Sequence, residues 1–204
     1  MNGRAVMTDD QRDALQEVAN IGMGQAGASI ASLLNEFVEL SIPRVAVVGP
    51  NEIADVLTRF VGDRPVSCVR QGFYGTFRGE ALAIFDVADS SVLAHSLGYD
   101  SSTDRLVNCE ILLDIANVLV GACLGYVGKL LGSEMGFSAP SLLGEGLLAS
   151  QLLDPARLTA DSALCLEVQL RIKERQFDCH LVALMPEAEI CVLGEALDRF
   201  LASL

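Results

Sequence analysis

Four residues recur in this chain at one fixed interval. Asp13, Glu17, Asn20 and Pro43 are matched 97 positions later by Glu110, Asp114, Asn117 and Pro140. In both copies 22 residues separate the asparagine from the proline. An interval this long does not suit a solenoid of short repeats; it suits duplication of a whole αβ unit. The 204 residues then form two homologous halves, approximately 8–100 and 104–204, expected to share a core as a single domain over 1–204.

The core pattern repeats with the motif. Leu15, Val18, Ala19, Gly22, Ala26, Ile30 and Leu33 fall on one face at about 100° per residue. Their counterparts are Leu112, Ile115, Ala116, Leu119, Cys123, Val127 and Leu130, all apolar. Asp13, Glu17 and Asn20 stack on the opposite side, as do Glu110, Asp114 and Asn117. Each helix should bury one face and offer an acid, an acid and an amide to solvent. Thr8 and Gln11 make a capping box at the first helix start. Gly22 and Gly24 each cost roughly 1 kcal/mol against Ala in a helix interior, which implies close packing or close approach of another chain.

The segments after the two helices correspond as well. "VELSIPRVAVV" reads as a strand with its proline near its start or at an edge, "PNEIADVLTRFV" as a short helix, "VSCVRQGFYGTF" with "GEALAIFDV" as a hairpin, and "DSSVLAHSLG" as a closing helix. The second half supplies a strand around "FSAPSLL", then "GEGLLASQLL" in the place of the short helix. "ALCLEVQLRIKE", "FDCHLVALM" and "EAEICVLGEALDRFLASL" complete it. The expected fold is α+β: a pseudo-two-fold duplicated αβ unit with an about six-stranded, largely antiparallel sheet and two long motif helices on one face.

Composition removes several classes. The net charge of −13 repels phosphate backbones, so nucleic acid is not an expected partner. "MNGRAVMTDDQ" contains no apolar run, and no secretory signal is expected. "ILLDIANVLVGACLGYVGKLLG" is apolar but carries Asp114, Asn117 and Lys129, which favours a buried amphipathic helix over a membrane span. The six cysteines form no C-x-x-C pair and read as small hydrophobes in a reducing cytosol, a cytoplasmic setting. His95 and His180 lack companions at metal-ligand spacing, and no metal site is expected. A nucleophile motif and a phosphate loop are also missing.

Taken alone, an acid–acid–amide triplet is an ordinary solvated helix face. Asparagine, however, competes for the backbone and is a mediocre helix former, yet it stands mid-helix twice at equivalent places. Asp-x3-Glu-x2-Asn-x22-Pro, twice in one chain, resembles the motif of the CheC family of chemotaxis phosphatases, which is related to CheX and to the N-terminal part of FliY. The first copy matches at every position, and "NIGMGQAGASI" is similar to the family's "NIGxGxAxxAL" run. The second copy departs from the pattern with Glu110 in first place and Asp114 where glutamate is the rule.

The resemblance implies an enzyme, a phosphatase that hydrolyses the aspartyl phosphate of a CheY-type response regulator. It implies no cofactor of the chain's own, because Mg2+ and a phosphate-neutralising lysine come with the regulator. Asn20 and, second, Asn117 would position the attacking water. Glu17 and Asp114 would pair with that lysine, and Asp13 and Glu110 would dock the partner. Pro43 and Pro140 would shape the backbone, and Gly24 would let the regulator come close. The alternative is a non-catalytic module that docks a regulator or binds the deamidase CheD.

Overall fold

A computed structural model describes residues 7–34, 37–49, 52–86, 105–152, 163–172 and 177–203. Helix α1 (Asp9–Leu34) leads to a broken edge strand, β1 (Glu39–Leu40) and β2 (Arg44–Val48). Helix α2 (Ile53–Val61) and the hairpin β3 (Val66–Tyr74) and β4 (Gly79–Asp86) come next. The second half opens with α3 (Arg105–Leu130) and a second broken edge strand, β5 (Gly136–Phe137) and β6 (Ser141–Leu147). A hairpin of β7 (Ala163–Ile172) and β8 (Phe177–Pro186) and the helix α4 (Glu187–Leu201) complete it.

The eight strands occupy six positions in one sheet. The order is β1-β7-β8-β4-β3-β5, with β2 also on the outer edge of β7 and β6 on the outer edge of β3. All pairings are antiparallel. β4 and β8 meet at the centre, where Leu82 faces Val182, so each half places its hairpin on its own side of that seam. Both edge strands break at a serine–x–proline step, Ser41 to Pro43 and Ser138 to Pro140. Proline has no N–H for the ladder, so it is tolerated at an edge and interrupts it.

Alternation along the strands assigns the two faces. Val69, Phe73, Ala83, Phe85, Leu166, Leu170, Leu181 and Met185 pack beneath α1, α3 and α4. Cys68, Leu82, Ile84, Cys165, Val182 and Leu184 pack beneath α2 through Ile53, Val56, Leu57 and Val61. The expected stripe on α1 is buried at Leu15, Val18, Ala19, Gly22, Ala26 and Ile30. Its counterparts on α3 are buried from Leu112 to Val127, whereas Leu130 is half-buried. The capping box forms: Thr8 N–H donates to Gln11 Oε1 at 3.1 Å and Gln11 N–H to Thr8 Oγ1 at 3.2 Å. Gln11 Nε2 also donates to Asp198, tying α4 to the start of α1. Helix α3 is long and apolar enough to cross a membrane from Val107 to Leu130, but its apolar side lies in the protein core.

One expected element is different. "GEGLLASQLL" is not a helix: β6 runs through Leu147, and only a 3-10 turn succeeds it at Ala149–Gln151. Gly146 adopts φ +67°, a left-handed conformation that ends regular helix and suits glycine. Irregular pairing with β3 satisfies the backbone instead, with register shifts between Val66, Cys68 and Val69. "DSSVLAHSLG" and His95 lie outside the described residues.

A charged cluster sits on the α2 face. Glu167, fully buried, accepts from His180 Nδ1 at 2.8 Å and from Arg44 Nε at 2.8 Å. Arg44 stacks over Phe60, 4.9 Å from the ring centroid. His180, which has no companion within its own stretch of chain, thus finds a carboxylate on the neighbouring strand. Cys68, Cys123, Cys165 and Cys179 are buried. Burial pushes the Cys68 and Cys165 thiols up to about 12 and the Cys123 thiol higher still, so these groups stay protonated at neutral pH.

Candidate functional site

The buried stripes turn the motif side chains outward. Asp13, Glu17 and Asn20 are exposed on α1, and Glu110, Asp114 and Asn117 are exposed on α3. Each half thus presents its own triplet from its own helix. The 22-residue spacer returns the chain to the same place: Asn20 and Ser41 line one groove, and Pro43 is buried two residues further on. In the second half Asn117 and the Ser138 carbonyl share a hydrogen-bond partner, with Pro140 again two residues on.

The groove beside Asn20 has a volume of about 540 Å³. Met23, Gly24, Gly27, Ala28 and Ala31 form its helix wall, and Phe37, Val38 and Leu40 its other wall. In the second half Met135 takes the place of Val38 and packs on Gly128, where a Cβ would collide with it. Gly22 and Gly24 differ in purpose. A Cβ on Gly22 would lie 3.2 Å from Val127 Cγ2, so this glycine serves the close contact of α1 with α3. A Cβ on Gly24, or on its counterpart Gly121, would meet nothing within 4 Å. No packing in the described chain requires either glycine. Gly24→Ala and Gly121→Ala should each stabilise the fold by roughly 0.5–1 kcal/mol. Thermal melts check this, and a lower Tm would show that the helix itself needs the glycine.

The two asparagines differ in surroundings. Gln71 Nε2, from β3, donates to Asn117 Oδ1 at 2.8 Å and to the Ser138 carbonyl at 2.8 Å. Gln71 is 1% exposed and stands in a row of core positions with Val69 and Phe73. Among the described residues the Asn20 side chain makes no hydrogen bond. The motif does not mark Gln71. The signal in the sequence is an amide at an inward position of an alternating strand. Among the described residues no three His, Cys, Asp or Glu side chains converge as a metal site would require.

A duplicated αβ unit with broken edge strands and an acid–amide pair on each long helix defines a class. No protein-family model matches the chain. It is 23% identical over 172 residues to the CheY-P phosphatase CheC of Bacillus subtilis, covering 76% of this chain and 80% of that one. It is 21% identical over 140 residues to the flagellar motor switch phosphatase FliY of the same organism, covering 66% of this chain and 35% of FliY. The match thus spans about a third of FliY's length. The crystal structure of Thermotoga maritima FliY shares the fold, with a TM-score of 0.72 at 16% identity over 96% of this chain and 99% of that one. The chain is thus similar in sequence to CheC and to part of FliY, and it shares the fold of FliY, CheX and CheC-like structures.

Proposed function

We propose that this chain hydrolyses the aspartyl phosphate of a CheY-type response regulator, in the cytoplasm, as one domain with two unequal sites. The observation that carries this reading is the outward carboxylate–amide pair at equivalent places on α1 and α3, Glu17 with Asn20 and Asp114 with Asn117. Similarity to two phosphatases, one named for phosphorylated CheY, supports it.

An acyl phosphate is already activated, and the Mg2+ and lysine that neutralise phosphoryl charge belong to the substrate protein. The missing contribution is a water held in line with the P–O bond. The water's oxygen forms the new P–O bond, the aspartyl carboxylate leaves with the old bond's electron pair, and the phosphate product keeps both water protons. An amide suits this task because its oxygen accepts from the water without titrating. Asn20 performs it at the first site. Glu17, one turn away, pairs with the regulator's lysine; aimed at the phosphoryl group it would repel it. Asp13 and Glu110 dock the partner, and Gly24 admits its backbone. Asp114 is one methylene shorter than Glu17, so its hold on a lysine is weaker.

Decay of a phosphorylated CheY-type regulator, measured with and without the protein, tests this reading. Catalytic acceleration supports it. Stable binding with no acceleration would instead leave a docking module, for the regulator or for CheD. Glu17→Ala should weaken affinity for the phosphorylated regulator at least tenfold, by loss of one member of an interfacial charge pair. Unchanged affinity with lost turnover would assign Glu17 to the chemistry.

A further inference from the structure

We infer that Gln71 is a positioning residue that holds the Asn117 carboxamide with its NH2 group outward, so that the second site recognises the phosphoryl group while the first site turns it over. The division of labour rests on the phosphatase reading above. The orientation of Asn117 does not.

The orientation is set by an acceptor that cannot change its nature. The Ser138 carbonyl is main chain and only accepts, so the Gln71 amide must present its NH2 group there. The same Nε2 lies 2.8 Å from Asn117 Oδ1. Turning the Asn117 amide over would set NH2 against NH2. Its oxygen is therefore committed inward, to a side chain that is 1% exposed, which leaves Nδ2 as the outward donor of an exposed residue. Gln71 Oε1 is buried and accepts no hydrogen bond among the described residues. Such an orphan is a cost to the fold, not a gain. The benefit falls on Asn117.

The fold also shows that it does not need this glutamine. Gly72 N–H donates to Ser138 Oγ at 2.9 Å, and Ser138 N–H to the Gly72 carbonyl at 2.9 Å. In the other half Gln169 N–H donates to Ser41 Oγ at 2.9 Å, and Ser41 N–H to the Gln169 carbonyl at 2.8 Å. Gly72 and Gln169 are thus equivalent, 97 positions apart, and the residue before each is Gln71 in one case and Val168 in the other. Val168 is equally buried and has no polar side-chain atom. Asn20 remains free to turn its oxygen to a water. Asn117 offers N–H donors, which suit phosphoryl oxygens and cannot accept from the nucleophile.

Side-chain 15N relaxation of the Asn NH2 groups tests the orientation without reference to activity. Asn117 should be rigid and Asn20 mobile in the wild-type protein, and Gln71→Val should make Asn117 mobile. Valine is the residue the fold already carries at the equivalent position, and the wild-type comparison needs no variant. A mobile wild-type Asn117, or one left rigid by Gln71→Val, overturns the inference. Kinetics on the phosphorylated regulator test the division. Asn20→Ala should lower kcat about 100-fold with little change in KM. Asn117→Ala should leave kcat within about twofold of wild type and weaken the second-site binding step for the phosphorylated regulator about tenfold, as loss of one charge-assisted donor does, and Gln71→Val should move that binding step the same way. Equal kcat losses from the two Asn variants overturn the division. If Asn117 is rigid through Gln71 and no acceleration is seen even with the wild type, the positioning role stands and the phosphatase reading falls.

Discussion

Replacing both amides, Asn20→Ala with Asn117→Ala, should leave a folded protein that no longer accelerates dephosphorylation of the regulator. Both side chains are exposed, so little packing is lost. Removing Asn117 takes one acceptor from Gln71 but leaves its bond to the Ser138 carbonyl, so no buried N–H is stranded entirely. Stability should change by about 1 kcal/mol or less. Activity should fall at least 100-fold, because misplacement of a reacting group by about 1 Å already costs that much. Circular dichroism and thermal melts establish the fold, and decay of the phosphorylated regulator gives the rate. A folded double variant with full activity would exclude both asparagines from the chemistry.

The largest effect on stability should come from Glu167→Ala. Its carboxylate is fully buried and is the shared acceptor of His180 and Arg44. Deleting the buried acceptor costs roughly 3 kcal/mol, because His180 is left in the core with an unpaired ring N–H and the packing of the Glu167 side chain is lost. For a domain of this size that lowers Tm by roughly 6–12 °C. Arg44 is half-exposed and regains water when freed, so Arg44→Ala should cost much less. Glu167→Gln should fall between the two, since it keeps an oxygen for His180 and loses the charge. A loss below about 1 kcal/mol on Glu167→Ala would show that His180 and Arg44 find other partners. The cluster lies on the α2 face, away from the motif helices, so the variant should keep its activity at temperatures where it remains folded.

What the sequence determined by itself is local and periodic. The 97-residue interval carried the duplication, because side chains that fill equivalent places answer to the same packing. The 3.6-residue stripe on α1 and α3 dictated which face is buried, and so that Asp13, Glu17, Asn20 and their counterparts face outward. Thr8 and Gln11 marked a helix start because a capping box closes within four residues. Long-range choices were not legible. "GEGLLASQLL" has enough apolar residues for a helix, but pairing of β6 with β3 and the left-handed turn at Gly146 decided otherwise. The partner of His180 came from the neighbouring strand, 13 residues away along the chain. The inequality of the two asparagines was likewise hidden. Gln71 lies 46 residues before Asn117, and it meets that helix only because β3 packs beneath α3 and the Ser138 carbonyl closes over the same amide. Periodicity reports which way a side chain points; only the packed sheet decides which hydrogen bonds await it there.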